Sequence, residues 1–208
     1  SGHDCGMTGP LADVAVAAQK VWTSAEQGGG KEFCSMVGEA MRADPATLAV
    51  ACATVARALN ANNLGRIAPE RVVFPQGPHA ADVQRRSTHA NTCWRGGGIR
   101  DTPEIRAFFQ SRADMAEGNP AKKYRVAQFL ATSFSIDVAD RFIGLSWPFV
   151  GAPGAFVNAL VRWRVLLDPD PARRCRHVNL VTETHVDGEL EYLFAAFSVF
   201  SVVAVHWS

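Results

Sequence analysis

The sequence predicts an α+β domain whose sheet is mostly antiparallel. Three observations predict it: helical periodicity in the first third, shorter strand-like apolar runs bounded by Gly, Pro, Asn or Asp afterwards, and no regular β-α alternation. The chain has 208 residues, 48% hydrophobic and 20% charged, the balance of a sequence that folds. One domain spanning 1–208 is the default at this length. Roughly 70% of the unfolded surface is then buried, enough for a core without metal or disulfide staples.

The helical part, 1–66, reads as Leu11 to Gln27, Lys31 to Arg42, and Asp44 to Leu59 with Asp44 at the N-cap and Pro45 at N1. Gly28-Gly29-Gly30 parts the first two helices. It lacks a preceding strand and a following Lys-Ser/Thr, so it reads as a turn and not a phosphate cradle. In the sheet-forming part, 67–208, strand candidates are Arg71 to Phe74, Asn91 to Arg95, Val126 to Thr132, Phe156 to Leu167, Arg176 to Val181, Glu189 to Phe194 and Ser198 to Trp207. Thr102-Pro103-Glu104 opens a helix to Arg112, and Pro120 opens another near Tyr124. Phe142 to Val161 is free of charge, but Pro148, Gly151, Pro153 and Gly154 interrupt it, so it reads as a buried loop between strands and not as a membrane span. No internal repeat is visible.

Lys+Arg 21 against Asp+Glu 20 gives a formal charge of +1, which favours neither nucleic acid nor an anionic membrane as partner. Five cysteines, an odd number with no C-x-x-C pair, argue against a disulfide framework or a zinc cluster and predict free thiols suited to a reducing cytosol, that of the producing cell or of a cell the protein enters. No metal is expected, since Cys175-Arg-His177 lacks a second pair of ligands. No charged n-region followed by an apolar run opens the chain, and Ser1-Gly2-His3 reads as a cloning remnant, compatible with an export signal already removed.

Three local patterns carry candidate chemistry. In Glu189-Leu190-Glu191 strand alternation aims both carboxylates to one side, with Leu190 and the later apolar residues on the other. Like charges this close raise one pKa, which serves general-base work or stabilisation of a cation, although a solvated strand end after Asp187-Gly188 has the same pattern. In Asn91-Thr-Cys-Trp-Arg-Gly-Gly-Gly98, Arg95 closes a strand and enters unobstructed backbone, where a guanidinium reaches phosphate and bare amides approach a ligand. A surface turn is the plainer reading. In Gln128-Phe-Leu-Ala-Thr-Ser-Phe-Ser135, hydroxyls at a strand end precede Asp137 to Phe142 and can simply cap the helix there.

Taken in this order the three patterns resemble the mono-ADP-ribosyltransferases of the Arg-Ser-Glu class, the cholera-toxin and clostridial-toxin-like superfamily. Trp94-Arg95-Gly96 is similar to that family's aromatic-Arg-Gly strand. Phe129-Leu-Ala-Thr-Ser133 with Ala139 to Phe142 is similar to its Phe-x-Ser-Thr-Ser strand and short Ala-x-x-Phe helix. Glu189-Leu-Glu191 with Phe200-Ser-Val202 is similar to its Glu-x-Glu and Phe-x-Val. The resemblance covers about Arg71 to Trp207 and departs at Ala131, where the family has a Ser whose hydroxyl bonds the catalytic Glu; Thr132 or Ser133 then substitutes, or Glu191 is held some other way.

The resemblance implies a mixed, mostly antiparallel two-sheet core with an N-terminal helical layer, NAD+ as substrate, no metal, and transfer of ADP-ribose to a target protein. It implies that Glu191 stabilises an oxocarbenium-like transition state through the ribose, that Glu189 orients or deprotonates the acceptor, and that Ser133 joins them in catalysis. Arg95, Gly96, Thr132, Ser133 and Arg141 would hold the dinucleotide, with Phe149 or Trp147 stacking on its ring from a lid. Glu at both positions goes with arginine as acceptor in the family. The compact length also resembles bacterial effectors that modify a threonine of ubiquitin, so a secreted effector or toxin acting in a host cytosol is the expected setting. The competing expectations are a non-catalytic nucleotide- or protein-binding module and a hydrolase with Ser133 as nucleophile, the latter without the G-x-S-x-G elbow.

Overall fold

The structure is a computed structural model that describes residues 11–23, 27–28, 31–43, 53–59, 92–150, 158–167, 178–180 and 191–207. Helix α1 (Leu11–Trp22) is followed by the short antiparallel pair β1 (Gln27–Gly28) and β2 (Lys31–Glu32), then by α2 (Phe33–Ala43) and the helical residues 53–59, α3. The first helix therefore ends before Gln27. Thr23 turns its backbone N–H and its hydroxyl onto the Gln19 carbonyl, and Gln27, expected as the last residue of the first helix, pairs with Glu32 as Gly28 pairs with Lys31; this pairing moves the start of α2 from Lys31 to Phe33. The proposed cap at Asp44, the strand from Arg71 to Phe74, Gly29-Gly30 and Glu189 lie outside the described residues.

The main sheet has five strands in the order β6-β3-β5-β8-β7, comprising β3 (Thr92–Ile99), β5 (Leu130–Ser133), β6 (Ala159–Leu166), β7 (Val178–Leu180) and β8 (Glu191–Phe194). A two-stranded sheet joins β4 (Lys123–Arg125) to β9 (Val199–Ser201). Every strand pair among the described residues is antiparallel. Helix α4 (Pro103–Ala113) follows β3, and α5 (Ile136–Ser146) follows β5.

Four expectations need correction. Strand β3 does not stop at Arg95: Gly96, Gly97 and Gly98 continue the ladder opposite Arg162, Val161 and Leu160, because a partner strand satisfies their backbone groups. Pro120 opens a single 3-10 turn, Pro120–Lys122, and Tyr124 lies on β4, where the Phe200 pairing overrides helical pattern. Phe142 to Ser146 is not buried loop but the last part of α5, with Phe142, Leu145 and Trp147 exposed. Strand β9 also ends at Ser201, well short of Trp207.

The main sheet is covered on both faces. Alternation along β8 sends Leu193 into a cluster with Ala18 and Trp22 of α1, Val37 and Ala40 of α2, Ala58 and Leu59 of α3, and Phe129. Tyr192 and Phe194 enter a second cluster with Cys93 and Phe134, against which Phe200 packs from the small sheet. Ring contacts run on through Phe200, Tyr124 and Phe109 to Trp163, tying α4 and the small sheet to the same face. This corrects the one-sided reading of the segment after Glu191: Leu193 shares the glutamate's side, since helices cover that face too. No helix among the described residues is long and apolar enough to cross a membrane.

Candidate active site

Glu191 is the first residue of β8 and is buried, at 9% exposure. Register places Ser133 directly opposite it on β5, and Trp94 of β3 opposite Ser133. Directly paired residues of antiparallel strands leave the sheet on one side, so the carboxylate, the hydroxyl and the indole of Trp94 form a row across three strands. Trp22 reaches this row from α1, its Nε1 donating to Oε1 of Glu191 at 3.1 Å. Cys34 of α2 lies within electrostatic reach: burial, then the Glu32 charge, and finally that of Glu191 raise its thiol above the ordinary 9.0.

The hydroxyls around Ala131 have specific tasks. Thr132 Oγ1 donates to the Tyr192 carbonyl at 2.6 Å across the β5–β8 pair, and Ser133 Oγ accepts from the Ser135 N–H at 2.9 Å, shaping the turn into α5. The ladder between β3 and β5 is confined to the Trp94–Ser133 pairing. Beyond it the Arg95 guanidinium bridges the strands, Nη1 donating to the Ala131 carbonyl at 2.8 Å. Arg95 is thus oriented by backbone, whatever side chain stands at position 131.

Gly96 sits where α5 crosses β3. A Cβ there would overlap the Ala139 carbonyl and approach Ile143 Cγ1 to 2.8 Å, so only glycine allows the crossing. Arg141 is exposed on α5, next to Asp140, which pairs with Arg162 of β6. Phe149 closes a 3-10 turn, Trp147–Phe149, with Trp147 exposed at 68%; the side chain of Phe149 and all of Glu189 lie outside the described residues. The structure therefore sets Glu191 and Ser133 side by side, with Arg95 and Gly96 on the next strand, and leaves Arg141 on the surface; Thr132, expected beside the dinucleotide, is instead paired with Tyr192 and turned to the opposite face, toward Cys93. Trp22 escaped the sequence reading. Four residues after Ala18 on an amphipathic helix, it carries the pattern of an ordinary core residue, and only the buried acceptor across the fold distinguishes it.

No protein-family model matches the chain, and no curated protein matches it in sequence. The architecture is similar to that of the ADP-ribosyltransferase Vis, a toxin from Vibrio splendidus, in two solved structures, one of them in complex with an inhibitor named M6. Each superposes with a TM-score of 0.50 at 16% identity, covering 93% and 95% of this chain and 67% and 70% of the other. The fold is that of an ADP-ribosyltransferase. At this identity the likeness is one of architecture. A buried carboxylate beside a hydroxyl, with a guanidinium on the neighbouring strand, is chemically a donor and acceptor set suited to ribose hydroxyls and phosphates.

Proposed function

We propose that this chain is a mono-ADP-ribosyltransferase that moves ADP-ribose from NAD+ onto a side chain of a target protein and releases nicotinamide. The observation that carries the reading is the buried Glu191 opposite Ser133 in a sheet of this fold. Nicotinamide leaves with the electron pair of its bond to the ribose, and positive charge spreads over the ring oxygen and the anomeric carbon. A carboxylate that accepts a hydrogen bond from the ribose 2′-hydroxyl stabilises that charge most in the transition state, which is where rate is gained. Glu191 takes this part and Ser133 supports it. Arg95 and Gly96 contact the dinucleotide, joined from α5 and its following turn by Arg141 and Phe149. The acceptor nucleophile attacks the anomeric carbon and gives its proton to Glu189.

Glu at both positions of the pair favours an arginine acceptor; a threonine of ubiquitin is the second candidate. The setting we propose is a toxin or secreted effector acting on a host protein. Incubation with biotin-labelled NAD+ and a eukaryotic lysate supplemented with ubiquitin tests all of this. Protein-bound label is expected, and E191A should lower it by several orders of magnitude while keeping the circular dichroism of the native chain. Label and nicotinamide release that persist in E191A would refute the site; neither product from the native chain leaves a nucleotide- or protein-binding module.

A further inference from the structure

The indole of Trp22 is fixed on several sides. It packs edge-on against Phe129 with ring centroids 5.3 Å apart, and it belongs to the cluster that includes Ala18, Val37, Leu59 and Leu193. With 6% of its surface exposed, the ring has one polar atom to satisfy, and that N–H points at Oε1 of Glu191. On the facing strand the diagonal neighbour of Glu191 is Ala131, which has no polar side chain. A buried N–H donated to a carboxylate favours its charged form and restrains its rotation.

We infer that Trp22 is a positioning residue for Glu191, through which helix α1 completes the site by fixing the carboxylate's orientation and keeping it ionised. The inference rests on reading Glu191 as the reacting carboxylate. Among the described residues, the groups that face Glu191 from the packed elements include Ser133 of β5 and the Cys34 thiol of α2, beside which stands Glu32 of β2; α1 itself also carries Lys20, two residues before Trp22 and exposed. The raised Cys34 thiol stays protonated through the acid range and so makes no contribution to an acidic limb in the rate.

Trp22→Phe keeps a ring against Phe129 and removes the N–H. With nicotinamide release as the readout, its kcat should fall about tenfold while the KM for NAD+ stays within about threefold, and the acidic limb of kcat should move up by about one pH unit. A merely structural tryptophan would lower thermal stability and leave the limb where it was, and that result overturns the inference. A second measurement does not depend on how well the variant folds. In the native chain the Trp22 indole 1H–15N resonance should titrate with the Glu191 carboxyl and cease to do so in E191Q; a resonance indifferent to the carboxyl overturns the positioning role. If the native chain releases no nicotinamide, the functional reading fails, and the indole titration still decides separately whether Trp22 holds the carboxylate.

Discussion

A methyl group at position 96 would have to share space with the backbone of α5, whereas one at position 97 meets nothing within 4 Å. Gly96→Ala is therefore expected to cost about 2–3 kcal/mol in urea unfolding, and Gly97→Ala less than about 1 kcal/mol. Equal midpoints would remove the helix crossing as the reason for glycine. Cys93 offers a second test, because burial pushes its thiol up to about 12 from 9.0. A thiol that holds its proton more tightly when folded adds nothing below pH 9, where both states are protonated. Above pH 9 the unfolded chain loses the proton first, so stability falls by up to about 1.4 kcal/mol per pH unit until about pH 12. Cys93→Ala should flatten that alkaline decline in melts recorded against pH. At this scale Glu191, Ser133 and Arg95 were legible as candidates only through the order and spacing of three motifs, each of which alone reads as an ordinary strand end, turn or helix cap. The sequence concealed Trp22, because an aromatic residue on a helix needs no explanation until its acceptor is seen.

Helices α4 and α5 begin with the same kind of residue and use it differently. Thr102 Oγ1 accepts from the Ile105 N–H at 3.3 Å, and α4 has no buried residue of its own, so its start depends on that cap. Ser135 occupies the same position before α5 and makes no side-chain cap bond; its hydroxyl is buried and finds no partner among the described residues. Thr102→Ala should then cost about 1 kcal/mol. Ser135→Ala should cost nothing or stabilise slightly, since a desolvated hydroxyl is removed without losing a bond. Matched losses in thermal unfolding would contradict this contrast. The start of α4 was legible because Thr-Pro-Glu states its cap, first turn and charge in three letters. The continuation of β3 through three glycines was not, since it depends on β6, a strand far along the chain. The end of α5 misled for a related reason: an uncharged run looks buried, yet Phe142, Leu145 and Trp147 are exposed.

Across the whole molecule the helix-first, strand-later order was visible, because each period is local. The way the two parts meet was not, because that meeting consists of contacts between distant segments such as Trp22 and Glu191, 169 positions apart. Recovery after dilution from denaturant should accordingly show sheet signal by circular dichroism before nicotinamide-releasing activity. Simultaneous recovery would mean that α1 docks as the sheet forms. The strand order has a further effect. In the sheet β3 lies between β5 and β6, both of which follow it in the chain. Until they arrive, its amides and carbonyls stand open along two sides, and another unfolded copy offers the same complement of groups. Refolding yield should thus drop as protein concentration rises, and a chaperone that shields extended segments should restore it.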